Sequence, residues 1–341
     1  VVDLEPIPLG RYPTPVFRVE SLSSDTAELW VKNDGVVAEP YGGNKIRKLE
    51  LILADAAKRG ARRILTTGAG GSHHVLATAL YARQIGIPVA AVLCPQPWTE
   101  HAAQTLRASL GAGIEPVVTG SMARVPFAMA RVRRRGDYLV PAGGSSVLGT
   151  LGYLRAVGEL VDQIRAGRLP EPDVIVAPLG SGGTVAGILA GALREGLPCR
   201  VVGVDVAVAP ALARAMVLGL SRLATRADAG SAGLGRLARA LEVDGAHLGN
   251  GYGHPTQSGA EATRVAARIG LGLDPTYTAK TFARALEELS AAPPESSRPR
   301  RVLYWHTLSA APMEPLLRDA PSSLPPDLAS LLPPAPRSDR G

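Results

Sequence analysis

The feature that most constrains this chain is an alternation of short apolar runs with stretches of helical periodicity. The runs are Leu29 to Lys32, Ile64 to Thr67, Val89 to Leu93, Ile114 to Val118, Val174 to Ala177, Val201 to Val206 and Arg301 to His306. Helical patterns are predicted between them. The first follows Gly42-Gly43-Asn44 and places Leu49, Ile52, Leu53 and Ala56 on one face, with Asn44 as its N-cap and Gly60 as its stop. Others run over about Val75 to Ile85, from Thr99, up to about Arg135, from Gly143-Gly144 to about Arg165, after Thr184, and from Ala209 to Leu241. Strands that read as unbroken apolar runs between helices are those of parallel sheets covered on both faces, so an α/β fold is expected.

The 341 residues suit one or two domains sharing a large core. No apolar stretch is long enough to span a bilayer, and Val1 to Gly10 does not read as a secretory leader. The only cysteines, Cys94 and Cys199, have neither disulfide-framework nor metal-ligand spacing. A cytoplasmic protein without a metal or membrane partner is expected. The net charge of +7 does not point to nucleic acid, because the basic runs at Arg131 to Arg135 and Arg298 to Arg301 lack interleaved aromatics. Arginine fills the surface positions instead. Only five lysines occur, and two of them, Lys45 and Lys48, fall in one motif.

That motif is Gly42-Gly43-Asn44-Lys45-Ile46-Arg47-Lys48. Lys45 and Lys48 share a helix face, and like charges there ease the loss of a proton from either amine. A neutral amine is what Schiff-base chemistry requires, and a helix start favours a nearby phosphate. A solvated helix start with surface lysines would read the same way. A second motif, Gly180-Ser181-Gly182-Gly183-Thr184, joins a strand to a helix and forms a generic anion cradle or a tight turn. A dinucleotide fingerprint would need glycine at Val185, and the P-loop Gly-Lys-Ser/Thr is missing. A third, Gly68-Ala69-Gly70-Gly71-Ser72-His73-His74, offers Ser72 either as a carboxylate ligand or as a helix cap. Its adjacent histidines share no helix face, which argues against zinc. Tyr252, Tyr277, Thr278 and His306-Thr307 are candidates that packing alone would also explain.

Taken in order, PLGRYPTP, GGNKIRKLE, TTGAGGSHH, PAGGSSVLGTLGY, GSGGT, GYGHPT, LDPTYTAK and WHT resemble the tryptophan-synthase-β-like (fold type II) pyridoxal-phosphate enzymes. The branch they are similar to holds D-cysteine desulfhydrase and 1-aminocyclopropane-1-carboxylate deaminase, and the resemblance runs from about Leu9 to Pro312. It implies two open, mainly parallel twisted-sheet domains with pyridoxal 5′-phosphate in the cleft between them. The large domain would comprise residues 1–45 and 156–320, and the inserted small one residues 46–155. Residues 321–341 are expected to form a Pro/Ser-rich mobile tail, and Ala291 to Arg300 a surface loop. A homodimer is what the family suggests.

The resemblance also implies roles. Lys45 looks like the Schiff-base lysine and the base for the α-proton. Lys48 and the backbone of Gly180, Ser181, Gly182, Gly183 and Thr184 look like phosphate ligands. Ser72 is similar to the serine near the substrate carboxylate, and Tyr252 and Tyr277 to tyrosines that face the substrate. Asn44 precedes the lysine as in the family. His73 stands where the family has an amide beside the cofactor ring. Thr278 and Thr307 look like the desulfhydrase version, in which a neutral hydroxyl near the ring nitrogen suits β-elimination. The deaminase has a glutamate at the first position and leucine at the second. The expected reaction is α,β-elimination on a small amino acid of the D-cysteine type. The deaminase reaction, or a cofactor-binding relative with another or lost activity, are the alternatives. The chain departs from the family twice: at His73, and at Leu308-Ser309, which replace a Gly-Gly pair.

Overall fold

A computed structural model of the chain describes residues 4–230, 233–291 and 298–334. In order, the first elements are β1 (Val16–Arg18), β2 (Ala27–Asn33), α1 (Lys45–Lys58), β3 (Arg63–Ala69), α2 (His73–Gln84), β4 (Val89–Cys94), α3 (Glu100–Gly111), β5 (Glu115–Val118), α4 (Val125–Val132) and β6 (Asp137–Leu139). They are followed by α5 (Val147–Arg165), β7 (Val174–Leu179), α6 (Gly183–Glu195), β8 (Arg200–Asp205), α7 (Pro210–Ala227), α8 (Leu234–Ala240), β9 (Leu241–Asp244), α9 (Gln257–Arg268), α10 (Thr278–Ser290) and β10 (Arg300–His306). The contacts divide the chain into two units. The larger holds the described residues up to Ile52 together with Gly144–Ala311, and the smaller holds Leu53–Gly143 and the described residues from Pro312 onward.

The larger unit is built on a six-stranded sheet of order β1-β2-β10-β7-β8-β9, parallel except for the β1–β2 pair. Alternate residues of its central strands feed two cores. Ile175, Ala177, Leu179, Leu303 and Trp305 pack under α5, α6, α7 and α8. Val174, Val176, Val302 and Tyr304 pack under α9 and α10. Burial on both faces is the reason the central stretches of these strands, Val174–Leu179 and residues 302–305, carry apolar side chains throughout. The smaller unit has a four-stranded, wholly parallel sheet of order β5-β4-β3-β6. The expected class, α/β with two mainly parallel sheets, is the one observed. No helix among the described residues is long and apolar enough to cross a membrane.

Several expectations need correction. The strands β1, β6 and β9 escape the sequence pattern because they are only three or four residues long and carry charges. The run from Ala209 to Leu241 is two helices, and Leu241 opens β9. The boundaries at 46 and 155 give way to Ile52 and Gly144, since Leu51, Leu151 and Leu154 close a core with Ala190 and Ala224. Residues 312–320 group with the smaller unit rather than the larger. The tail is not mobile as far as Pro334: Leu328, Leu331 and Leu332 are buried, and Pro326–Leu331 forms a 3-10 turn. Residues 335–341, and the 292–297 part of the proline-rich loop, lie outside the described residues.

Candidate active site

Within the larger unit, the GGNK motif and the GSGGT loop come together. Asn44 Nδ2 donates to Thr184 Oγ1 at 3.1 Å. Gly182, at φ 90°, caps α6 in the left-handed region that glycine alone adopts freely. A β-carbon on Gly183 would lie 2.7 Å from Ser145 Oγ and 3.1 Å from Lys48 Nζ. Ser145 Oγ accepts from Gly183 N at 3.0 Å and shares a 2.7 Å hydrogen bond with Ser181 Oγ. The start of a thirteen-residue helix, two hydroxyls and a buried lysine thus converge on one small volume. That is the chemistry a phosphate monoester needs: backbone N–H groups, hydroxyl donors and an ammonium.

Lys45 opens α1 three residues before Lys48. Burial pushes the Lys45 amine down to about 8, against the opposing pull of the Asp274 carboxylate. Burial, helped by the Lys45 charge, holds Lys48 well below its ordinary value. At pH 8 about half of a lysine population titrating near 8 is neutral, against about 0.3% of an ordinary one. Covalent loading of the apoprotein with an aldehyde cofactor is therefore expected to rise with pH and level off just above 8. Stopped-flow absorbance across pH 6–10 measures this, and a rise that continues past pH 10 would contradict it.

The turn before α1 is held from the end of β10. Asn44 N donates to Thr307 O at 3.1 Å and Gly42 N to Ser309 Oγ at 2.9 Å. The Leu308-Ser309 departure thus keeps the backbone approach and adds a hydroxyl acceptor. Thr278 is fully buried; its Oγ1 donates to Asp274 Oδ2 at 2.7 Å and accepts from Asp274 N at 2.7 Å. Asp274 also takes the backbone N–H groups of Thr276, Tyr277 and Thr278. Burial pushes His306 down to about 4, which leaves a neutral imidazole beside Tyr304 OH, 3.2 Å away.

Tyr252 and Tyr277 share a 2.7 Å hydrogen bond between their hydroxyls with their rings edge-on. The Tyr277 ring lies over Gly180, 3.0 Å from where a β-carbon would stand. Lys280, wholly buried on α10, donates to the carbonyls of Leu248 and Gly251 at 2.8 and 3.4 Å, and so ties the Tyr252 loop to the helix that follows Tyr277.

Within the smaller unit, Ser72 is the N-cap of α2, its Oγ accepting from Val75 N. His74 is buried, with Nε2 2.9 Å from Thr66 Oγ1. His73 is half-buried and its Nε2 lies 3.1 Å from Nε2 of His101 on α3. Among the described residues no cluster of three or more His, Cys, Asp or Glu side chains is suited to a metal ion.

Ser145, Asp274 and Lys280 were not singled out from the sequence. Asp274 carried a usable signal, an Asp-Pro pair before a helix, where the carboxylate takes backbone N–H groups. Ser145 and Lys280 carried none, since their partners lie tens of residues away.

The comparisons with known proteins point the same way. A family model described as pyridoxal-phosphate dependent enzyme matches residues 7–307. Nocardicin C-9′ epimerase of Nocardia uniformis subsp. tsuyamanensis is 33% identical over 311 residues, 88% of this chain and 91% of that protein. D-cysteine desulfhydrase of Salmonella typhi is 31% identical over 308 residues, 86% of this chain and 91% of that protein. A crystal structure of an ACC deaminase homologue superposes with a TM-score of 0.78 at 29% identity, covering 93% of this chain and 97% of that one.

Proposed function

The chain belongs to the pyridoxal-phosphate dependent enzyme family, and from that premise we propose that it is a lyase acting on a small amino acid of the D-cysteine type. The overall change is cysteine plus water to pyruvate, ammonia and hydrogen sulfide. The observation that carries the reading is the convergence of Asn44 and Lys48 on the Gly180 to Thr184 loop, with a cradle at Gly183 that a β-carbon would fill and Lys45 next to Asn44 at the start of α1. Pyridoxal phosphate, when bound, supplies the electron sink that makes an α-proton acidic.

The residues divide the remaining work. Lys48, Ser145, Ser181 and the N–H groups from Gly182 to Thr184 hold the phosphate. Lys45, whose amine is partly neutral near pH 8, would hold the cofactor through Nζ, and the same nitrogen, freed when the substrate's amine takes its place, would accept the α-proton. The family resemblance supports a carboxylate-binding role for Ser72 and its neighbouring N–H groups, and a cofactor-contacting role for His73. The Tyr252–Tyr277 pair gives a proton to the departing sulfur. Position 278 carries no carboxylate, which favours β-elimination over opening of a cyclopropane. The desulfhydrase among the relatives and the neutral Thr278 and Thr307 support this choice. We extend the proposal to a homodimer in the cytoplasm; the family resemblance supports the first, and two buried free cysteines accord with the second.

A second reading is epimerisation at the α-carbon. It is favoured by the epimerase among the relatives and by the His73–His101 pair beside Ser72, a second acid–base group on this chain. One experiment separates the two. D-cysteine, L-cysteine and 1-aminocyclopropane-1-carboxylate are incubated with the holoenzyme in D2O, and sulfide, 2-oxo acid and α-deuterium are measured. Sulfide and pyruvate from cysteine are expected. Deuterium and inversion without ammonia would establish the epimerase, 2-oxobutyrate the deaminase, and inertness to all three would overturn the lyase assignment.

A further inference from the structure

The C-terminal segment beyond residue 311 lies outside the 7–307 stretch matched by the family model, yet in the smaller unit it closes onto the loop that leads to Ser72. Arg107 Nε on α3 donates to Pro321 O at 2.8 Å, anchoring the segment along that helix. After the turn Pro326–Leu331 the chain runs extended beside residues 96–98: Gln96 N donates to Leu331 O and Trp98 N to Pro333 O, each at 3.0 Å. Leu331 is fully buried, Leu328 and Leu332 nearly so.

Gln96 passes this anchoring on. Its side chain is buried, and Oε1 accepts from Gly71 N at 3.0 Å, directly before Ser72. Gly70 meets the segment itself. A β-carbon there would stand 3.1 Å from Leu331 O and 3.2 Å from both Leu331 Cβ and Leu332 Cδ2. The Gly70-Gly71 turn is thus gripped on one side by the C-terminal leucines and on the other by an amide that those leucines hold in place. The turn ends at Ser72, whose Oγ and backbone begin α2.

We propose that residues 326–333 are a clamp that sets the geometry of the Gly70–Ser72 turn for binding the substrate carboxylate, with Gln96 and Leu331 as its positioning residues. This rests on Ser72 serving that carboxylate, as argued above. A loosened clamp should widen the turn while the phosphate cradle and Lys45, on the other unit, keep the cofactor.

The test uses full-length holoenzyme with Gln96→Leu, Leu331→Ala, and Leu331→Ala combined with Leu332→Ala, beside Ser72→Ala. Amide hydrogen exchange is followed in the 70–75 peptide and in the 181–186 peptide, and KM and kcat are measured with D-cysteine. The clamp predicts at least tenfold faster exchange in 70–75 with 181–186 unchanged. It also predicts a KM raised tenfold or more in Gln96→Leu, kcat within about threefold, and an unaltered cofactor absorption band. If the double variant does not fold, the exchange of Leu331→Ala alone decides. Unchanged exchange in 70–75 overturns the clamp whatever the substrate. A Ser72→Ala variant with wild-type KM instead removes the carboxylate reading, and with it the clamp's role in binding. A raised KM in Ser72→Ala with none in the clamp variants overturns the clamp alone.

Discussion

Lys45→Ala is expected to purify without the visible absorption band of the bound cofactor and to lose at least about four orders of magnitude in turnover. In the proposed reaction covalent attachment and α-proton removal fall on the same nitrogen, so one substitution removes both. The fold should survive. Lys45 is half-buried at the first position of α1 and meets an opposing charge only through Asp274. Alanine is a good helix former, and the buried Asp274 carboxylate keeps its backbone N–H and Thr278 hydroxyl donors. Circular dichroism and the urea midpoint should stay near wild type. Borohydride reduction of the wild-type holoenzyme, followed by peptide mapping, should place the label on the peptide containing Lys45. A label elsewhere, or a variant that still turns over, would remove the basis of the site assignment.

Arg47→Met is expected to be the most destabilising single change near the site, costing about 3–5 kcal/mol. Arg47 donates to both oxygens of Asp34, both oxygens of Glu159 and to Thr14 Oγ1. Asp34 is wholly buried and also receives Tyr153 OH at 2.6 Å and Trp305 Nε1 at 2.8 Å. Lys32, equally buried, pairs with Glu159 and donates to Thr14 O and Gln163 Oε1. Two cations and two anions balance, and methionine would fill the space while leaving a net buried negative charge. Burial works to raise the Asp34 carboxyl, but the Arg47 guanidinium overrides it and holds the group below the ordinary range. A depressed carboxyl contributes stability that is complete above its unfolded pKa and is lost as pH falls through the folded value. The variant should therefore unfold at lower urea at pH 7 and begin acid unfolding at higher pH than wild type. Equal urea midpoints would show that the network contributes no net stability. Arg47 lies two residues from Lys45 on the same helix, so activity should fall with stability even though Arg47 is given no contact with cofactor or substrate.

How far the sequence alone reached follows from the range of each interaction. The strands of both sheets were legible because burial on two faces writes an apolar side chain at nearly every position, a signal contained in five or six residues. The Gly180 to Thr184 loop and the lysine helix were legible because glycine, a cap and a helix start are local chemistry, and their order along the chain resembles one family. The short edge strands β1, β6 and β9 lack that signal. Their pairing is set by a neighbour rather than by their own pattern.

The tertiary structure alone decided the rest. Positions 14, 32, 34, 47, 153, 159, 163 and 305 form one charge-balanced cluster, yet no spacing among them is periodic, and the cost of an unpaired buried charge becomes visible only when all are in place. Ser145 and Lys280 gained their roles from loops brought to them by the sheet. The C-terminal stretch, rich in proline and serine, has the composition of a mobile tail. Three of its leucines nonetheless find an apolar seat on the smaller unit. Composition measures what a segment lacks on its own, whereas order depends on the surface the rest of the chain presents to it.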